Sequence, residues 1–219
     1  MNVLYKLKET GRRALAPLIY RYPPVGLGPD RLYFYLHCLK LTRDVPGAVV
    51  EVGCSLGGTT VVANGFLKHT RCEKEYVCID TFDGFVAAHF EADEGRGTPS
   101  SIRHSFSGNS KALVEQILRQ HRIEGVKLIQ GDITKLSDAA LPSQCALVLA
   151  DVDLVEPTRA ILDRFWPRLA SGGMMIVDDC HEQSLWKARI AYEQFCRDNA
   201  IQPRFQYNMG VLQAPARPS

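Results

Sequence analysis

The sequence predicts an α/β fold built on a doubly wound, mostly parallel sheet. From residue 48 to residue 199, short apolar runs bounded by Gly, Pro or Asp alternate with stretches of helical period, the pattern of strands joined by crossover helices. Those runs are nearly continuously apolar, as strands covered on both faces require. At 219 residues, 46% hydrophobic and 23% charged, the chain is long enough for one full core and short for two. Two further short runs near the end predict an antiparallel hairpin, which completes a Rossmann-like, seven-stranded sheet with a mixed edge.

The elements follow in order. Residues 1–29 form a basic, mildly amphipathic helical extension, expected to pack on the domain or to mediate self-association, the alternative being a weak membrane-surface helix. The main domain spans 30–219. Asp30 caps a helix through Leu41, and Ala48 to Val52 is a buried strand interrupted by Glu51. A helix over Gly57 to Lys68 leads to a strand over Tyr76 to Ile79, closed by Asp80. Residues 82–110, rich in Gly, Ser, Asp and His, lack periodicity, and an irregular stretch of that length in a compact domain reads as an active-site lid. Beyond it come a helix over Ser110 to Arg122, a strand over Val126 to Gln130 and a short helix over Leu136 to Leu141. Cys145 to Ala150 is a strand ending at Asp151. Glu156 to Leu169 is a helix stopped by Gly172 and Gly173, and Met174 to Val177 is a strand ending at Asp178. A helix over Leu185 to Asn199 precedes hairpin strands over Arg204 to Tyr207 and Val211 to Gln213.

Composition excludes several classes. A net charge of +2 gives no electrostatic reason to expect nucleic acid or an anionic membrane as partner. No apolar run approaches the roughly 20 residues of a membrane span, and the N-terminus lacks the apolar core and cleavage site of a signal peptide. The seven cysteines are odd in number, scattered and without zinc-ligand spacing. Several fall in buried strands, where free thiols act as small apolar groups, so a reducing, cytoplasmic setting is expected.

In open parallel sheets, ligands bind beyond the carboxyl ends of the strands. The first strand leads into Glu51-Val52-Gly53-Cys54-Ser55-Leu56-Gly57-Gly58-Thr59-Thr60, where small residues let a ligand approach the backbone and a helix presents free N–H groups. The spacing is neither G-x-G-x-x-G nor a P-loop. Asp80 is placed to accept hydrogen bonds from ribose hydroxyls, and Gly131-Asp132 to border an adenine, so the three strand ends together favour an adenosine-type ligand. The next two strands end in Asp151-Val152-Asp153 and Asp178-Asp179. If those strands are neighbours, three or four carboxylates converge, and a hard divalent cation is the natural counter-charge. The alternative is helix capping, with Asp153 the foremost candidate for a cap alone. His181 is either a base or substrate contact, or a solvated loop histidine. Trp166 and Trp186 read as packing residues on helices.

These residues resemble the macrocin O-methyltransferase family. Val49-Glu51-Gly53 through Thr60 and Ile79-Asp80-Thr81-Phe82-Asp83-Gly84-Phe85 resemble its cofactor-binding half. Asp151-Val152-Asp153-Leu154-Val155-Glu156-Pro157-Thr158, and Pro167-Arg168-Leu169 through Gly172-Gly173 to Asp178-Asp179, resemble its second half. The resemblance runs from about Asp30 to Gln213 and departs at Cys180 and Val155, where the family carries aromatics. It implies S-adenosylmethionine as cofactor, Mg²⁺ or another divalent cation, and methyl transfer to a hydroxyl of a sugar or glycosylated natural product. The candidate cofactor contacts are then Glu51, Gly53, Cys54, Ser55, Gly57, Thr59, Asp80, Thr81, Gly131 and Asp132. The metal ligands implied are Asp151, Asp178 and Asp179, and the candidate bases are Asp151 and His181. The rival expectations are a metal-independent small-molecule methyltransferase and a non-catalytic adenosine-binding module.

Overall fold

The computed structural model describes residues 3–215. Helix α1 (Val3–Ile19) and helix α2 (Pro29–Leu41) precede the sheet. Then come β1 (Ala48–Val52), α3 (Gly58–His69), β2 (Tyr76–Asp80), α4 (Ala87–Glu94), α5 (Lys111–Gln120) and β3 (Val126–Gln130). After them follow β4 (Cys145–Ala150), α6 (Val155–Phe165), β5 (Leu169–Val177), α7 (Ala188–Asp198), β6 (Phe205–Gln206) and β7 (Met209–Gln213). The seven strands form one sheet in the order β3-β2-β1-β4-β5-β7-β6. The first five are mutually parallel, while β7 runs antiparallel to β5 and β6 antiparallel to β7. The chain reverses its direction of travel across the sheet between β1 and β4, which opens a crevice at their carboxyl ends.

Strand alternation divides the core into two layers. Val49, Leu147, Leu149 and Ile176 face α1, α2, α3 and α5, meeting Tyr20, Phe34, Leu39, Leu67 and Ile117. Val50, Val52, Val148 and Met175 face α6 and α7, meeting Ile161, Phe165, Tyr192 and Phe195. Glu51, the polar residue inside β1, has a local explanation. Its Oε2 accepts hydrogen bonds from Tyr76 OH at 2.6 Å and Thr60 Oγ1 at 2.8 Å, and Tyr35 OH lies 2.8 Å from Tyr76 OH.

Several boundaries differ from expectation. Helix α6 stops at Phe165 rather than at the glycine pair, because Pro167 brings no backbone N–H and the chain tightens into a single 3-10 turn over Trp166–Arg168. Gly172 and Gly173 fall inside β5, where the pairing with β4 shifts register. Helix α7 begins at Ala188, which leaves Leu185 and Trp186 in the preceding loop. The stretch 82–110 is not wholly irregular: it contains α4 and a 3-10 turn over Ser100–Ile102.

Helix α1 lies along α5. Gln116 and Gln120 donate to the carbonyls of Arg13 and Tyr20 at 2.9 and 2.8 Å, and Arg12 donates to Gly108 O at 2.8 Å. Its other side leaves Leu15, Leu18 and Ile19 exposed. The segment between α1 and α2 then crosses the start of α3 so closely that a Cβ on Gly58 would stand 2.2 Å from the Pro24 backbone. Among the described residues, no helix is long and apolar enough to cross a membrane. Six of the seven cysteines are buried, and burial pushes the thiols of Cys38, Cys145 and Cys180 up to about 12, which keeps them protonated.

Candidate active site

The carboxyl ends of β1 to β5 open into one cavity of about 270 Å³. Its floor begins at Gly53, whose φ of +92° sends the chain sharply out of β1. A Cβ there would stand 1.8 Å from the carbonyl oxygen of Asp151, so only glycine fits. The turn that follows aims Ser55 N–H at Asp80 Oδ2 (2.8 Å), while Phe82 N–H donates to Asp80 Oδ1 (2.7 Å). Burial nevertheless pushes the Asp80 carboxyl above its ordinary value, against the pull of those bonds. The Glu51 carboxyl, sealed in beside Tyr76 and Thr60, is pushed by burial up to about 7.

Glu51, Gly53, Cys54, Ser55, Thr59, Asp80, Thr81, Gly131 and Asp132 all line the cavity. Gly57 does not: it precedes α3 in a left-handed conformation, turned toward Val114. Asp132 is already well supplied with donors. Its Oδ1 accepts from the backbone and hydroxyl of Thr134 at 3.0 and 2.7 Å, and its Oδ2 lies 3.3 Å from His89 Nε2. Burial alone would raise its pKa, but these partners outweigh it and hold the carboxyl below its ordinary value. His89, on α4, also reaches Glu156 Oε2 with Nδ1 at 2.9 Å, so it ties the lid segment to both β3 and α6.

Strands β4 and β5 are neighbours, and their ends bring four carboxylates together. One oxygen each from Asp151, Asp153 and Asp179 lies within 4.8 Å of the others. Asp178 is engaged differently: its Oδ2 accepts from Arg31 Nη1 at 2.6 Å, and its Oδ1 is buried without a hydrogen-bond partner among the described residues. Arg31 also approaches Asp179 Oδ1 at 3.4 Å. Burial, then the charges of Asp178 and Asp179, push Asp151 well above the ordinary carboxylate range. Burial, then Asp151, does the same to Asp153. Asp178 rises only to about 6, through burial and Asp179, because Arg31 opposes the shift.

Three expectations change here. Asp153 is not a helix cap: Leu154 occupies that position, and the Val155 N–H of α6 is met instead by Asp93 Oδ2 from α4, at 2.9 Å. Asp153 takes a left-handed φ of +65° and belongs to the carboxylate cluster. His181 is exposed and lies in a separate depression with Cys180, Glu182 and Arg189, its Nδ1 accepting from Gln183 N–H at 3.1 Å. It does not line the main cavity. Trp186 does, together with Phe85 and Phe106, so it is a site residue rather than a helical packing residue. Arg31 and Trp186 carry no local motif, and only the fold brings them to the strand ends.

The donors fit the groups the resemblance implies. An acid at the end of β2 held by two backbone N–H groups suits a ribose diol. Opposed oxygens around a hard cation stand about 4.2 Å apart for Mg²⁺ and about 4.6–5.2 Å for Ca²⁺, so an oxygen set spread over as much as 4.8 Å matches the larger cation and would have to draw in around the smaller.

Comparison with known proteins gives a consistent result. The chain is 27% identical over 161 residues to the 8-demethyl-8-(2,3-dimethoxy-alpha-L-rhamnosyl)-tetracenomycin-C 4'-O-methyltransferase of Streptomyces olivaceus, covering 70% of this chain and 61% of that one. It is 27% identical over 172 residues to the mycinamicin III 3''-O-methyltransferase of Micromonospora griseorubida, covering 72% and 66%. The chain thus spans less than two thirds of the length of these curated relatives. Among solved structures, the O-methyltransferase NovP superposes with a TM-score of 0.68 at 23% identity, covering 86% of this chain and 81% of that one. The calicheamicin methyltransferase CalS11 does so with a TM-score of 0.68 at 19% identity, covering 95% and 91%, and these two likenesses establish the fold. The family model of macrocin-O-methyltransferase matches residues 25–207, from the segment over Gly58 to the final hairpin, and the chain belongs to that family.

Proposed function

We propose that the chain transfers a methyl group from S-adenosylmethionine to a hydroxyl of a sugar or glycosylated natural product, with a divalent cation at the carboxylate cluster. The observation that carries this reading is the convergence of two donor sets on one cavity: the Gly53–Thr59 turn with Asp80, and the four carboxylates from β4 and β5. The activities for which the two relatives are named, 4'-O-methylation of a rhamnosyl-tetracenomycin and 3''-O-methylation of mycinamicin III, favour a sugar hydroxyl as acceptor.

Each residue then has a physical task. Asp80 accepts hydrogen bonds from the ribose hydroxyls, and Asp132 borders the adenine edge. The N–H groups that open α3 receive the carboxylate of the methionine moiety, and Glu51 faces its ammonium. The cofactor supplies a methyl group on a positively charged sulfur, already activated toward displacement, so the protein has mainly to position the reactants. A cation held by Asp151, Asp178 and Asp179, with Asp153 completing the set, would supply charge neutralisation and lower the pKa of a bound hydroxyl. Asp151 and Asp153 are the two carboxylates of the cluster that form no ion pair with Arg31, and one of this pair accepts the hydroxyl proton. The tethered segment 82–110 excludes water.

A metal-independent reaction draws support from one feature, the Arg31 guanidinium against Asp178 and Asp179. One positive charge against four carboxylates leaves a surplus that a divalent cation answers better. The free, buried thiols suit a reducing, cytoplasmic setting, and the exposed Leu15, Leu18 and Ile19 are the surface on which we place self-association. The test is calorimetric titration with S-adenosylhomocysteine, first with Mg²⁺ and then with EDTA, on the wild type and on Asp80→Asn. Binding that Asp80→Asn weakens supports the cofactor site, and no binding in the wild type refutes it. Mn²⁺ binding lost in Asp151→Asn and Asp179→Asn supports the cation site. Unchanged Mn²⁺ affinity in both variants refutes it.

A further inference from the structure

Helix α4 grips the start of α6 at two points one helical turn apart. His89 Nδ1 lies 2.9 Å from Glu156 Oε2, and Asp93 Oδ2 accepts the Val155 N–H at 2.9 Å. His89 also reaches across the chamber wall, its Nε2 standing 3.3 Å from Asp132 Oδ2 beyond the end of β3. The ring is buried and lines the cavity. The charged and titratable groups around it are Asp132 and Lys135 beyond β3, Glu156 on α6, and Asp93 on its own helix. Lys135 Nζ lies 3.5 Å from Asp132 Oδ2, and Asp93 is bound to Arg96 as well as to the Val155 N–H.

Both nitrogens of the ring thus face carboxylate oxygens. An ionised carboxylate only accepts hydrogen bonds, so both contacts are hydrogen bonds only when the ring carries both protons. A neutral imidazole has one N–H, and its other nitrogen then turns a lone pair toward an oxygen. The two carboxylates differ in how they can respond. Burial opposes ionisation of Asp132, yet Thr134 and His89 hold its carboxyl below the ordinary value, and Thr134 fixes Oδ1 through both its backbone and its hydroxyl. The Glu156 side chain is 60% exposed and can turn into water. The neutral ring therefore keeps its proton on Asp132 and gives up Glu156, and α4 loses one of these two holds on α6.

We propose that His89 is a positioning residue that acts as a proton-dependent clasp on the cofactor chamber. Doubly protonated, it pins α4 across Asp132 and Glu156 and retains S-adenosylhomocysteine; on losing one proton it lets α4 lift from α6 and the product leave. This rests on the methyl-transfer reading of the cavity and adds a control on product release to it. The sign follows from the proton count. The closed chamber holds one proton more than the open one, so retention is full at low pH and falls as pH rises through the titration of the ring. The bond from Asp93 to the Val155 N–H does not involve that proton and serves as the hinge in both states.

The test uses the full chain and S-adenosylhomocysteine, with affinity read by calorimetry from about pH 5.5 to about 9, a span that contains the ordinary titration of histidine. His89→Gln supplies one donor that does not titrate, and taking the ratio to it at each pH cancels the rise expected as Glu51 ionises. The wild type should bind about fivefold more tightly than His89→Gln at the acidic end and equally at the basic end, the size of one partly exposed charge-assisted contact. Glu156→Gln offers an acceptor to the charged ring and a donor to the neutral one, so its advantage over His89→Gln should persist across the whole range. The His89 ring signal in NMR should titrate with the midpoint of the wild-type fall. Hydrogen exchange over α4, compared between variants at each pH, should follow the same order without ligand. A wild-type advantage that does not change with pH overturns the proposal, and so does a fall that Glu156→Gln retains. Absence of binding by the wild type at every pH would instead defeat the cofactor reading, and the exchange rates would still decide whether the clasp exists.

Discussion

Replacing Asp93 with alanine should loosen the lid segment and the helix that follows the carboxylate cluster in a single step. Asp93 is fully buried on α4, and its Oδ2 accepts the Val155 N–H at the start of α6, a helix whose own N-cap residue, Leu154, offers no side-chain acceptor. Loss of an N-cap costs about 1 kcal/mol, and a hydrogen bond to a charged group about 1.5–3 kcal/mol. The second partner, Arg96 Nη1 at 2.8 Å, is 43% exposed, so its share is small, about 0.5 kcal/mol. Asp93→Ala should therefore lower stability by about 2.5 kcal/mol, or about 5–10 °C in Tm for a domain of this size. Asp93→Asn keeps an acceptor for the Val155 N–H and should lose only about 1 kcal/mol. Urea denaturation at constant m-value measures both, and hydrogen exchange at the first turn of α6 should accelerate in the alanine variant. An alanine variant within about 0.5 kcal/mol of wild type, or an asparagine variant as damaged as the alanine one, would refute the cross-capping argument.

Gly53→Ala places a methyl group on the Asp151 carbonyl and should cost more than about 3 kcal/mol, read as failure to accumulate folded protein or a collapse in Tm; a native-like variant would contradict the close approach. The raised Glu51 carboxyl has a defined sign. The stability it confers is complete below its ordinary value of 4.5 and disappears as pH rises to about 7, while affinity for S-adenosylhomocysteine, which needs the ionised form, climbs across the same window. Tyr76→Phe removes a donor to that carboxylate and should move the affinity midpoint upward; a midpoint that stays in place would remove Glu51 from the cofactor site. Arg31→Met leaves Asp178 buried without its partner and should cost about 2–3 kcal/mol in EDTA, less than a fully buried pair because Arg31 is partly exposed. Added Mg²⁺ should recover part of that loss, and a variant as stable as wild type in EDTA would show that the pair is immaterial.

What the sequence made legible was local. Apolar runs ending in Gly or Asp marked the five parallel strands, and the Gly53 turn, Asp80 and the paired acids after β4 and β5 marked the cavity, because each is written within a few consecutive residues. The hidden features depend on partners far along the chain. Asp153 has the spacing of a cap, and nothing near it shows that Asp93 performs that task from 62 residues away. Trp186 reads as helical until α7 is seen to begin at Ala188, and Arg31 drew no reading from the sequence, because its partner Asp178 lies 147 positions away. The glycine pair at 172–173 misled because glycine marks both helix ends and strand irregularities. Pro167, five residues earlier, had already ended the helix.

The strand of backbone laid over Gly58 bears on how this protein can be divided. Pro24 and Gly26 are part of the cavity wall, and both lie before residue 30, where the sequence places the start of the main domain. A chain trimmed to the sheet and its crossover helices would keep every carboxylate and lose one side of the ligand chamber, so it could fold and still bind poorly. Chimeras that exchange acceptor preference between relatives face the same boundary. The interhelical stretch from Tyr20 to Gly28 has to travel with the half of the molecule that carries the Gly53 turn and Asp80, or the grafted chamber will leak.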